Sequence, residues 1–236
     1  NVRRLEKTMI SCKNLSLGHG KNKLTQPFNL EMPQHAWYGI IGENGSGKST
    51  FLKTLLGLIK PSSGTIFVDA KLPQQKHDWI SYIPQEREVM LGELTTAHDL
   101  LLATYKARQF GLPFYSQALK NKTEQLLTIV GAGHYAKQPF NTLSGGQKKR
   151  IYLAQALMNN PTLLLLDEPL ADLDPIAKQK FLRALKAIHD QTKISLLIIS
   201  HDMHEIANYL DGFIHFKKGG VHFCQDLPCI KESAYV

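Results

Sequence analysis

The 236-residue chain is 43% hydrophobic and 20% charged, the balance of an ordinary globular protein long enough for a large core. Its apolar runs, Ile194 to Ile199 among the longest, fall short of the roughly 18–20 residues that span a bilayer, so a membrane role is expected to come through a partner. The net charge of +8 sits in short groups at 21–23, 148–150 and 217–218, the pattern of solvated surface, and no nucleic-acid partner is expected. No apolar stretch follows the basic pair Arg3-Arg4, so no signal peptide is expected in the opening residues. Cys12, Cys224 and Cys229 lack metal-ligand spacing and suit a reducing, cytoplasmic compartment.

In chain order, Met9 to Leu17 and Phe28 to Met32 alternate apolar and polar residues, predicting half-exposed antiparallel strands around the turn cluster Gly18-His19-Gly20-Lys21-Asn22. Trp37 to Ile41 predicts a buried strand, and Phe51 to Leu58 carries apolar residues spaced for a helix packed on a sheet. Pro61-Ser62-Ser63-Gly64 turns into a strand at Thr65–Val68, and Trp79–Ile83 predicts another that ends at Pro84-Gln85. Thr95 to Phe110 and Gln117 to Val130 have helical spacing broken by Gly111-Leu112-Pro113, which predicts an inserted helical lobe without strands. Pro161 to Asp167 is an unbroken apolar strand of the kind buried on both faces of a parallel sheet. A helix over 175–191, a strand over 194–199, a helix over 203–210 and a hairpin of 213–216 with 221–224 complete the α/β pattern.

Between the strand at 37–41 and its helix lies Gly42-Glu43-Asn44-Gly45-Ser46-Gly47-Lys48-Ser49-Thr50, which fits G-x-x-x-x-G-K-[ST] in the strand–loop–helix setting that gives the pattern its mechanism. Gly42, Gly45 and Gly47 let the backbone curl so that successive N–H groups face an anion, and the helix start adds its dipole and unpaired donors. Lys48 reaches the outer phosphates, and the Ser49 hydroxyl is a ligand for Mg²⁺. These nine residues predict a site for a nucleoside triphosphate.

Two further constellations join it. Asp167 and Glu168 follow four leucines at the carboxyl end of a parallel strand, the edge where ligands bind in open α/β sheets. Asp167 is placed to hold Mg²⁺ through a water, and Glu168 to orient and deprotonate an attacking water. Leu143-Ser144-Gly145-Gly146-Gln147 starts a helix, with Ser144 as N-cap and two glycines that leave backbone N–H groups approachable. It is a second anion site about a hundred residues from the first.

Taken with Gln85 and His201, this set resembles, over nearly the whole chain, the nucleotide-binding subunit of an ATP-binding cassette (ABC) transporter. The family order of phosphate loop, Q-loop glutamine, LSGGQ signature, acidic strand, D-loop and switch histidine is matched by Gly42–Thr50, Gln85, Leu143–Gln147, Leu163–Glu168, Leu173-Asp174 and His201. The resemblance implies one P-loop NTPase domain over 1–236, with a mixed, mostly parallel sheet. The core and an antiparallel β-subdomain occupy 1–85 and 160–236, and a helical signature subdomain occupies 86–159. It implies ATP and Mg²⁺, and a head-to-tail homodimer or pseudo-dimer in which Ser144, Gly145, Gly146 and Gln147 of one copy close over the phosphate loop of the other. Gln85 would touch Mg²⁺ or the attacking water, and His201 the γ-phosphate while aligning Glu168. His19 takes the place of an aromatic that stacks on adenine, so looser base selectivity is expected, and Ala171 stands where the D-loop usually has serine. His201-Asp202-Met203-His204 has H-x-x-H spacing but no third ligand, so no zinc site is expected there.

The resemblance further implies a peripheral subunit on the cytoplasmic face of the inner membrane, an integral permease received by 86–110, and a solute-binding protein in the complete system. Tyr82 to Val89, Ser144 to Arg150 and Ser200 to His204 resemble the cassettes of zinc and manganese importers. Another importer, a lipid or export system, or a soluble ATPase of iron–sulfur assembly is the alternative.

Overall fold

The computed structural model describes residues 7–19, 22–73, 79–85, 92–106, 115–201, 203–217 and 220–224. The first half supplies β1 (Thr8–Ser16), β2 (Gly18–His19), β3 (Asn22–Lys23), β4 (Phe28–Pro33), β5 (Trp37–Gly42), α1 (Lys48–Leu55), β6 (Ser63–Val68) and β7 (Ile80–Ile83). The helices α2 (Ala97–Lys106), α3 (Gln117–Ile129) and α4 (Gly145–Leu157) follow. The chain then returns through β8 (Leu163–Asp167), α5 (Pro175–Thr192), β9 (Ser195–Ile199), α6 (Met203–Ile206), β10 (Gly212–Lys217) and β11 (Gly220–Cys224).

A six-stranded sheet in the order β11-β10-β5-β9-β8-β7 carries the fold, parallel throughout except for the β10–β11 hairpin. Its central strands are apolar without alternation because both faces are covered. Leu164 and Leu166 of β8 join Trp37, Leu196 and Ile198 in one core cluster beneath the helices, with Leu153, Phe181 and Leu185. Leu163 and Leu165 point the other way, to Tyr38, Ile40, Leu197 and Phe51. That second cluster is closed by α1 and by a separate antiparallel sheet, β4-β1-β6, whose Ile10, Cys12, Leu30 and Ile66 face inward. Burying a leucine fully on such a face is worth about 1.5–3 kcal/mol, and all four leucines of β8 have no exposed surface.

The mixed sheet, the antiparallel sheet and the helices make the expected α/β class. Between 92 and 141, the described residues hold helices and one isolated bridge, Thr96 with Pro139. Two helix boundaries differ from expectation. The helix expected to run to Leu58 stops at Leu55, because Gly57 takes φ 71° and a two-bond stop forms: Gly57 N donates to Thr54 O and Leu58 N to Lys53 O. Leu58 is left 71% exposed. The helix expected over 203–210 is α6 followed by a short 3₁₀ turn at Ala207–Tyr209.

Candidate nucleotide site

The loop after β5 is shaped by its glycines. Gly42 has φ 148°, and a Cβ there would lie 2.4 Å from the Phe216 carbonyl oxygen, so the loop leaves the sheet where only glycine fits. Gly47, at φ 108°, opens α1 and accepts Phe51 N–H at 2.8 Å. Lys48, in the first turn, folds back across the loop and donates to Gly42 O at 2.7 Å and Glu43 O at 2.9 Å. Burial lowers its pKa, and the charges of Glu168 and Asp167 work the other way.

The acidic side of the site is set by two strand ends. Asp167 closes β8 and accepts a hydrogen bond from the Tyr82 hydroxyl of the neighbouring β7 at 3.2 Å. Burial raises the Asp167 pKa, against the lowering effects of the Tyr82 bond, Lys48 and Lys53. The Tyr82 phenol is pushed up to about 12, first by burial and then by the Asp167 charge. Glu168 turns off the strand at φ 46° while its N–H still reaches Ile199 O at 2.9 Å, so its side chain leaves the sheet at the β8–β9 edge. That carboxyl group is only 7% exposed. One of its oxygens accepts His201 N–H at 3.1 Å, and the other lies 3.3 Å from His201 Nε2.

These pieces meet around a cavity of about 290 Å³ lined by Asn44, Gly45, Gly47, Lys48, Ser49, Thr50, Gln85, Asp167, Glu168 and His201, with Leu24 and Ile199. The cavity thus gathers the expected loop residues with the expected glutamine, both carboxylates and the histidine. Gly42 and Glu43 act behind it, through the carbonyls that hold Lys48, and the buried Ser46 hydroxyl has no partner. The side chain of His19 lies outside the described residues, as do Glu86–Leu91 and Asp202. The donor set fits a nucleotide with Mg²⁺. A lysine ammonium and a curled run of loop N–H groups suit phosphates, and the oxygens of Ser49, Asp167 and Gln85 suit a hard divalent cation.

The signature residues are elsewhere. Ser144 caps α4 through a reciprocal pair, Gln147 N–H to Ser144 Oγ at 3.3 Å and Ser144 N–H to Gln147 Oε1 at 2.8 Å. The carboxamide oxygen of Gln147, a residue expected to close over the second copy's nucleotide, is engaged within its own helix cap. Ser144, Gly146 and Gln147 line an open cavity of about 680 Å³ with Arg150, Asp174 and Lys180, which shares no residue with the phosphate-loop cavity. Gly145 lines a smaller cleft with Gln85.

Set against known proteins, the family model described as ABC transporter matches residues 25–171. The chain belongs to the ABC transporter family. The manganese transport system ATP-binding protein MntB of Bacillus subtilis is 32% identical over 89% of this chain and 84% of its own length. The zinc import ATP-binding protein ZnuC 2 of Aliivibrio fischeri is 34% identical over 87% of this chain and 78% of its own. Among solved structures, CbiO1 of Clostridium perfringens, part of the CbiONQ complex, superposes at TM-score 0.83 with 26% identity, covering 96% of this chain and 92% of that one. The dimeric ABC transporter cassette MJ0796 superposes at 0.72 with 26% identity, covering 91% and 97%. This ABC chain is an ATPase that uses ATP with Mg²⁺.

Sequence reasoning missed Leu24 and Tyr82 as contributors to this region of the ABC fold. Leu24 is an exposed apolar residue on the cavity wall, and nothing about its place just after β3 marks it. Tyr82 sits on the buried strand that ends at Gln85, where a phenol among aliphatic residues is the one available signal.

Proposed function

We propose that the chain hydrolyses ATP at a composite site shared by two copies and that the cycle drives an integral permease. The observation that carries it is the cavity that joins Lys48, Ser49, Gln85, Asp167, Glu168 and His201, while Ser144 and Gly146 open onto a different surface. A site with one half on each of two surfaces closes only when a second copy turns its signature toward the first, and dimeric MJ0796 supports that arrangement. Bound Mg²⁺ would supply charge neutralisation at the phosphates. Lys48 and the loop N–H groups would hold the phosphates, Ser49 and Asp167 would hold the cation, and Gln85 faces the same space. Glu168 takes the proton of the attacking water, and the His201 main-chain N–H and ring fix both of its oxygens. With no bond to the protein formed, the rate gain comes from positioning and from charges held in place. Ser144 Oγ accepts the Gln147 N–H, and its own O–H is still available to donate to an anion.

No helix among the described residues is long and apolar enough to cross a membrane. The subunit is peripheral, on the cytoplasmic face, and works with an integral permease; the support is the likeness to ATP-binding proteins of transport systems. Leu94, 83% exposed just before α2, supports permease docking along 86–110, of which 86–91 and 107–110 lie outside the described residues. The cargo is a metal ion of the zinc or manganese type, delivered by a solute-binding protein. The support is the likeness to MntB and ZnuC 2. An energy-coupling factor system or methionine import is the second reading, because EcfA2 of Caldanaerobacter subterraneus and MetN 1 of Acinetobacter baylyi are 35% and 34% identical. The test is uptake of labelled manganese, zinc and methionine by cells lacking the gene. Loss of metal uptake that is restored by the wild type and not by Glu168→Gln supports the metal reading. Normal metal uptake with lost methionine uptake overturns it.

A further inference from the structure

The face of α4 that carries Gly146 and Lys149, three residues apart and so on one side of the helix, is seated on the turn that follows the catalytic strand. A Cβ on Gly146 would lie 2.9 Å from the Ala177 Cβ, so the signature helix touches the first turn of α5. One turn along, the half-buried Lys149 donates from Nζ to the Ala171 carbonyl at 2.5 Å. Ala171 N–H in turn donates to the Glu168 carbonyl at 3.2 Å. Glu168 and Asp172, both at positive φ, begin and nearly end this turn, which therefore has little intrinsic preference for its shape. Lys149 also lines the cleft of about 190 Å³ that holds Gln85 and Pro169, the residue after Glu168.

We propose that Lys149 is a positioning residue for ATP hydrolysis, holding the 168–172 turn so that the Glu168 carboxylate stays aimed at the nucleotide cavity. The ammonium acts on the turn from the signature helix, so the helix that would meet the second copy's nucleotide also fixes the base of its own copy. Burial lowers the Lys149 pKa, and the charges of Asp172 and Glu168 work the other way. Ala171 is half exposed, so water can replace the bond lost with the ammonium, and the fold survives while the turn loosens. The role rests on Glu168 as the general base, as proposed above.

The experiment compares Lys149→Met, Lys149→Arg and Glu168→Gln in the full-length chain. Lys149→Met should lower kcat by roughly 10- to 100-fold, the scale of misplacing a catalytic group, with KM for ATP and the melting temperature unchanged. Lys149→Arg should restore most of the rate, and hydrogen exchange in Lys149→Met should quicken across 169–173 but not across the phosphate loop. A wild-type rate in Lys149→Met beside an inactive Glu168→Gln overturns the role of Lys149 alone. A rate loss that tracks a lowered melting temperature, or that arginine does not relieve, overturns it as well. A wild-type rate in Glu168→Gln overturns the base assignment instead, and exchange at the turn then decides whether Lys149 holds it.

Discussion

The phosphate loop and the signature helix start both use the same local chemistry, unpaired N–H groups at a helix N-terminus flanked by glycine, yet the fold treats them differently. The loop is at the carboxyl edge of the parallel sheet, and residues from the end of β8 and from the segments after β7, β8 and β9 converge on its cavity. Its lysine is tied to two loop carbonyls and its glutamate to a histidine. The signature start is self-capped by Ser144 and Gln147 and otherwise faces an open groove. The phosphate-loop cavity therefore gathers a lysine, two carboxylates and a histidine, whereas the signature start presents a capped helix end to a groove shared with Arg150, Asp174 and Lys180. On the function proposed above, chemistry belongs to the first half and the second contributes closure.

Glu168→Gln gives the sharpest break between the two halves. Loss of a positioned base costs about 10²–10⁴-fold in turnover, while the loop that binds ATP is untouched. Steady-state hydrolysis should collapse as ATP binding persists, and light scattering should show an ATP-dependent dimer that accumulates. Unchanged turnover would mean that the furnished half does not run through Glu168.

Ser144→Arg probes the other half. An arginine side chain at the helix start blocks the approach of a second copy but leaves every residue of the loop cavity in place. ATP affinity of the isolated chain should be unchanged, while ATP-dependent dimers disappear and turnover falls by roughly 10²-fold, as when a transition-state donor is lost. Dimers that still form with ATP would show that the signature is not the closing surface.

This asymmetry was only partly legible in the residues. Apolar β8 and the loop pattern, which rest on local spacing, gave the α/β class and the phosphate-loop side of the cavity, while Gln85 and His201 came from the resemblance in motif order. The pairing of the Glu168 carboxylate with both the main chain and the ring of His201 depends on β8 lying beside β9, a tertiary fact no local pattern carries. The same holds for Tyr82, brought to Asp167 by strands 80 residues apart in sequence, and for Lys149, which reads as one of three surface basic residues until α4 is seated on its turn. The stop at Gly57, by contrast, was readable: a glycine followed within four residues by proline is a helix end, and the apolar spacing of Leu56 and Leu58 masked it.

The glycines sharpen the contrast at a smaller scale. At Gly42 a Cβ would strike the Phe216 carbonyl, at a φ that side chains rarely adopt, whereas at Gly145 nothing lies within 4 Å. Gly42→Ala should lower unfolding free energy in urea by about 1–3 kcal/mol, the usual size of overpacking with backbone strain. Gly145→Ala should leave stability unchanged and weaken only ATP-dependent dimerisation. Equal stability losses in the two variants would mean that the signature start is as tightly enclosed as the loop.

The smallest expected effect is a pH dependence confined to the loop's half of the molecule. His215 pairs in register with Ile41 on the loop's own strand, is 5% exposed, and has a buried Nδ1 without a hydrogen-bond partner. Burial holds its pKa below the ordinary 6.5, helped by the charges of Lys217 and of His222 across the hairpin. The folded state thus binds this proton less readily than the unfolded chain, so the stability linked to His215 is fully present above pH 6.5 and is lost as pH falls through 6.5 toward the depressed folded value. Melting temperature should decline over that window in the wild type and decline less in His215→Phe, which fills a similar space without a titrating nitrogen. ATP affinity, read beside it, should follow the same slope because Phe216, the next residue, backs Gly42. A slope identical in both proteins would assign the pH dependence to groups outside the β5–β10 pair.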